Sequence, residues 1–114
     1  MTALRLILAA FFLTIAIYTA LVIPVHGLGL FPEFFGQIAA MNWQGQFNVD
    51  FSCFLILAAL WVMWRHAFSP LGILLGLIAS VGGMLFLSAY LLVSSFRTQG
   101  GIRALLLGVH AHVA

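Results

Sequence analysis

Residues 41–66 read MNWQGQFNVDFSCFLILAALWVMWRH. Asp50, one of two acidic residues in the chain, stands near one end, and Arg65, one of four basic residues, stands near the other. The fourteen residues between them are apolar apart from Ser52. Such a run, closed by Trp61, Trp64 and Arg65, reads as a membrane span with an interfacial anchor at its far end. Fourteen helical residues cover only about 21 Å of a roughly 30 Å hydrocarbon core. The helix is therefore expected to begin earlier, near Gly45, so that the span runs over about 45–64. That start draws Gln46, Asn48 and Asp50 to the membrane edge, where they are expected to form a polar network.

Composition supports the same solvent. The chain has 114 residues, enough for one domain, with 5% charged and 65% apolar side chains. A soluble domain carries about 25% charged residues. So few polar groups cannot cover a water-facing surface. The net charge of +2 comes from arginine alone, since there is no lysine. No basic run, phosphate-cradling glycine loop or stacking platform is present, which argues against a nucleic-acid partner. The single cysteine, Cys53, excludes an intrachain disulfide and reads as a small hydrophobe.

Before the central stretch, residues 4–25 are apolar and long enough for a first span. The run from Arg5 to Val25 exceeds the roughly 7–15 residues of a signal-peptide core and is read as a retained span. Pro24 and Gly27 are expected to end it, with His26 at the headgroup level. In 28–41, Pro32 and Glu33 suit a first helical turn. Phe31, Phe34, Phe35, Ile38 and Met41 then recur at three- and four-residue spacing, which predicts an interfacial helix over about 31–41.

After the central stretch, Ser69-Pro70 opens a third span over about 70–96. Gly72, Gly76 and Ser80 recur every fourth residue and Gly83 continues the stripe, predicting a helix-packing face. Tyr90 and Ser94 make that stripe polar toward its end. Residues 97–101 form a polar break. The C-terminal segment 102–114 is too short to cross a bilayer and is expected to form a short helix. With three spans, Arg5 and Arg65 fall on one side and Arg97 and Arg103 on the other. The positive-inside rule then gives a tie.

Asp50 is the main candidate for chemistry, because an ionisable group within a span costs about 2.5–3.5 kcal/mol on insertion scales. Three readings stand beside one another: a helix-start cap, a polar packing network, and ion or proton handling. The cap is preferred. Asn42 or Asn48 offers the same capping oxygen. His110 and His112 diverge by about 200° on a helix and cannot chelate one metal together. A pigment or haem ligand at either is the alternative use. No catalytic residue and no metal site is assigned.

The segment FNVDFSCFLILAALWVMWR, with Phe-x-x-Asp-Phe at the head of an apolar helix ending in Trp and Arg, resembles a family of short, uncharacterised bacterial multi-span membrane proteins. The resemblance runs from the first span to Arg65. It implies an architecture and an emphasis on Asp50, and no activity.

The fold expected is an all-α integral membrane protein of the bacterial inner membrane, with three transmembrane helices, an interfacial helix after the first and a short C-terminal helix. The function expected is non-enzymatic: a small membrane protein acting by helix packing, as a homo-oligomer or an accessory subunit of a larger complex. Membrane lipid, copies of itself or other membrane subunits are the expected partners, with a lipid, quinone or pigment as bound cofactor. The alternative is an oligomeric ion- or proton-coupled small transporter using Asp50.

Overall fold

The computed structural model describes residues 1–98 and 101–112. Among them the secondary structure is helical, without strands. Helix α1 spans Thr2–His26, α2 Leu30–Ala39, α3 Trp43–Arg65, α4 Pro70–Arg97 and α5 Gly101–Leu107, followed by a 3-10 turn at Gly108–His112. Helices α1, α3 and α4 are each long and apolar enough to cross a membrane. Local chemistry sets their ends. Pro24 lies inside the last turn of α1, and the helix ends two residues later at His26, followed by Gly27, whose φ of 72° a glycine adopts without strain. Asn42 caps α3 by accepting a hydrogen bond from the Gly45 amide at 2.8 Å. Ser69 caps α4 through the Gly72 amide at 3.1 Å, with Pro70 in the first turn.

Helix α4 is not one rod. Gly83 has φ 59° and ψ −145°, outside helical space. On a straight helix Thr98 would lie about 39 Å from Gly72. Yet Gly72 packs on His66, and Thr98 accepts a hydrogen bond from Arg65, the residue before it, at 3.4 Å. The chain therefore reverses at Gly83. Residues 70–82 climb along α3 and residues 84–97 return beside them. Each arm is about 20 Å long. The single straight span expected over about 70–96 is corrected to a helical hairpin. The physical cause is Gly82-Gly83: only glycine reaches such backbone angles cheaply, and no side chain there blocks the turn.

The first arm packs on α3 through its small residues. A Cβ at Gly72 would lie 2.6 Å from the His66 Cβ, and one at Gly76 would lie 2.5 Å from the Met63 Cγ and 2.9 Å from the Ala59 carbonyl oxygen. Ala79 completes this face and is fully buried. Ser80 stands beside it, its hydroxyl returned to the Leu77 carbonyl at 2.7 Å. The glycine stripe, expected to receive another subunit, thus receives α3 of the same chain.

The second arm carries α1. Arg5 donates to the Ser95 hydroxyl at 3.0 Å and to its carbonyl at 2.8 Å, and its guanidinium lies 4.2 Å from the Phe96 ring centre. Ser88 and Ser95, seven residues apart, share a buried face and return their hydroxyls to the Met84 and Leu92 carbonyls. Helix α2 lies against the start of α3. A side chain at Gly45 would collide with the Gln37 backbone, so the close approach requires glycine there. Asn48 donates to the Phe34 carbonyl at 3.0 Å, and Asn42 donates to the Gln37 side chain at 2.7 Å.

These contacts give the molecule two unlike ends. Arg5, Arg65 and Arg97 gather where α3 and the second arm finish, and Arg103 follows on α5. Glu33 and Asp50 lie on α2 and on the opening turns of α3, at the other end.

Candidate functional site

At the arginine end the site begins with Arg65, the last residue of α3 and only 7% exposed. Its Nε donates to the Leu105 carbonyl at 2.6 Å, one terminal nitrogen to the Tyr90 hydroxyl at 3.0 Å and the other to the Thr98 hydroxyl at 3.4 Å. Three elements meet on one side chain: α3, the returning arm of α4 and α5. All three acceptors are neutral. A guanidinium carries five N–H donors, so two remain after these bonds. Among the described residues no acidic side chain lies at this end; Glu33 and Asp50 are at the other.

His66 sits beside it, with Nε2 2.5 Å from the Tyr90 hydroxyl. Burial lowers the imidazole pKa below its ordinary value of 6.5, and the neighbouring Arg65 charge lowers it further. The Tyr90 hydroxyl thus joins the two side chains, sharing a hydrogen bond with His66 Nε2 while accepting one from Arg65. Tyr90 also stacks on Phe86, with ring centres 5.8 Å apart.

Two cavities open on this group. One, of about 580 Å³, lies between the two arms of α4; Leu71, Leu75, Phe86 and Val93 form its apolar wall, and Arg65, His66, Tyr90 and Arg97 its polar end. The other, of about 520 Å³, holds Arg65, His66, Arg97 and Thr98 against Ala104, Gly108 and Val109. Gly108, at φ 57°, packs directly on Arg65, where a side chain would collide with it. The C-terminal segment is held by further side chains. Trp61 donates to the Leu106 carbonyl at 3.2 Å, and Trp64 stacks on His110 with ring centres 4.2 Å apart. His110 Nε2 lies 2.8 Å from the Trp64 carbonyl oxygen and donates to it.

The residues expected as interfacial anchors, Trp61, Trp64 and Arg65, are therefore turned onto the chain's own C-terminal segment. His110 uses one ring nitrogen in that contact. The side chain of His112 lies outside the described residues. Sequence reading had not joined Tyr90, Thr98 and His66 to Arg65. The available signal was a lone arginine without any carboxylate near it in sequence, together with a stripe that turned polar at Tyr90.

At the other end Gln46, Asn48 and Asp50 divide. Asn48 is buried, accepting from Gln44 at 3.0 Å besides donating to Phe34. Gln46 and Asp50 are exposed on the opposite face, where they line one shallow cavity with Ile38 and Met41. Asp50 is seven residues past the first residue of α3, too deep to cap it; Asn42 does so. The Asp50 carboxylate takes no part in the hydrogen bonds that tie α2 to α3. No histidine lines the cavities that Asp50 lines, and no group of three His, Cys, Asp or Glu side chains converges among the described residues.

The chain matches no family model, no curated protein and no solved structure.

Proposed function

We propose that this is a non-enzymatic membrane protein that holds an anionic lipid at its arginine end. The observation that carries the reading is Arg65: a buried guanidinium whose partners among the described residues are all neutral, at the polar end of an otherwise apolar cavity. A buried cation without a counter-ion is costly, and a phosphate offers the charge-assisted, geometrically matched acceptor that arginine favours. The apolar wall formed by Leu71, Leu75, Phe86 and Val93 suits an acyl chain. A neutral quinone or pigment would fit that wall but would leave the charge of Arg65 and Arg97 uncompensated.

The hairpin also bears on orientation. With a straight third span the arginines divide two and two. With the reversal at Gly83 all four lie toward one end, and the positive-inside rule then favours a cytoplasmic arginine end and a cytoplasmic N-terminus. That end would meet the anionic leaflet. The consumption of the glycine stripe by α3 removes the reason for expecting a homo-oligomer built on it.

The experiment is native mass spectrometry of protein purified in a mild detergent and supplied with phosphatidylglycerol or phosphatidylcholine. Arg97 lines both cavities and is exposed, so Arg97→Gln tests the charge while sparing the buried network. The expected result is retention of phosphatidylglycerol over phosphatidylcholine, with the preference reduced in Arg97→Gln. Equal retention of both lipids by the wild type would overturn the proposal.

A further inference from the structure

The second unusual group is Asp50. It lines an apolar cavity of about 350 Å³ between the opening turns of α3 and the reversal of α4. Phe47, Phe51 and Phe54 supply aromatic walls from α3, and Gly83 and Met84 close the far side. Asp50 is the sole charged group in that lining.

Among the described residues no cationic side chain lines that cavity. Arg65 is fifteen residues away on the same helix, about 22 Å along its axis. Arg5 and Arg97 lie at the same far level as Arg65, and Arg103 is in α5 beyond them. A second copy in the same orientation would place its arginines at that level too. The cap of α3 is already supplied by Asn42, so the carboxylate is not spent on the helix start. An exposed lone carboxylate beside aromatic and aliphatic walls is the complement of one ligand chemistry, a cation whose charge is carried on an apolar body. The carboxylate supplies the counter-charge, the phenylalanine faces attract the cation through their quadrupoles, and the cavity takes up the apolar groups.

We propose that the Asp50 cavity binds a lipophilic organic cation, an onium or ammonium group on an apolar body. Two sources share this chemistry, a free organic cation and the amine headgroup of a lipid. The site is separate from the arginine end, and its test does not depend on what binds there.

The test uses two probes of one shape and opposite charge, tetraphenylphosphonium and tetraphenylborate. Each is titrated calorimetrically into the full chain in dodecyl maltoside, a detergent without an amine. Saturable binding of tetraphenylphosphonium at one per chain is expected; tetraphenylborate, an anion suited to the arginine end, should show no dependence on Asp50. Asp50→Asn should weaken tetraphenylphosphonium by about tenfold or more, a difference of about 1.4 kcal/mol. Asp50→Glu, which keeps the charge, should retain binding and so separates loss of charge from loss of fold. Repeating the titration in nanodiscs with phosphatidylethanolamine identifies the source. Weaker apparent binding there than in phosphatidylglycerol nanodiscs supports the lipid amine as occupant; equal binding supports a free cation. No saturable binding of tetraphenylphosphonium, affinity for it unchanged in Asp50→Asn, or tetraphenylborate binding weakened by Asp50→Asn would each overturn the proposal.

Discussion

Replacing Gly83 by alanine tests the architecture on which both sites depend. The backbone at Gly83, φ 59° and ψ −145°, borders a region that is essentially confined to glycine. A side chain there costs about 1–3 kcal/mol of backbone strain. Packing adds little: a Cβ would lie 3.4 Å from the Phe51 ring and 3.7 Å from a Leu55 methyl, close to ordinary contact distances. The expected loss is therefore the conformational cost alone. Gly36 in α2 is the control, because a Cβ there meets nothing within 4 Å. Gly36→Ala should gain about 1 kcal/mol from helix propensity. Equilibrium unfolding in detergent measures both. A second readout reports the path of the chain directly. Spin labels at Leu71 and Val93, introduced through cysteines in a Cys53→Ala background, are placed on the walls of one cavity. On a straight helix these positions are about 33 Å apart. Pulsed electron resonance should give a distance well below that value in the wild type. A label distance near 33 Å, or a Gly83→Ala protein as stable as wild type, would refute the reasoning.

Three further outcomes follow from the same contacts. Gly76→Ile should destabilise the protein by about 1–3 kcal/mol or more, because the Met63 side chain and Ala59 carbonyl already occupy the space, while leaving the mass in detergent unchanged; chemical unfolding and light scattering check the two halves. Asn42→Ala should cost about 0.5–2 kcal/mol through loss of the α3 cap, whereas Asp50→Asn should leave the melting temperature unchanged, and the reverse ranking would return the capping role to Asp50. Stability should also fall with pH through His66: its pKa is lowered in the folded state by burial and by Arg65, so the unfolded chain binds more protons, and the loss begins as pH falls through about 6.5 and levels off below the folded value. Melting curves from pH 8 to 5 should show this slope in the wild type and a shallower one in His66→Gln; parallel slopes would exclude His66 as the source.

Much of the candidate site was legible as residues and not as contacts. Arg65 and Asp50 stand out in the sequence because charges are so rare in it. The partners of Arg65 do not, since Tyr90, Thr98 and Leu105 are 25, 33 and 40 residues away. Asp50 illustrates the converse error. A shortfall counted from Phe51 placed it near a helix start, but Asn42 and the α2 contacts extend α3 back to Trp43. The capping role then passes to Asn42, and the carboxylate is left facing an apolar cavity.

By itself the sequence determined the helical class and the three long apolar helices, because helix length and hydropathy are sums over neighbouring residues. It also determined the local stops, Gly27 and Ser69-Pro70, because caps act within a turn of their own position. Only the tertiary structure decided the path of α4. Gly82-Gly83 permits both a straight helix and a reversal, and the choice is made by contacts that arise after the arms have packed: glycines of the first arm on Met63 and His66, and Arg65 on Tyr90 and Thr98 of the second. That choice gathers the arginines toward one end and leaves the acidic residues at the other. The separation of charge is thus a property of the fold, although every charge in it was visible from the start.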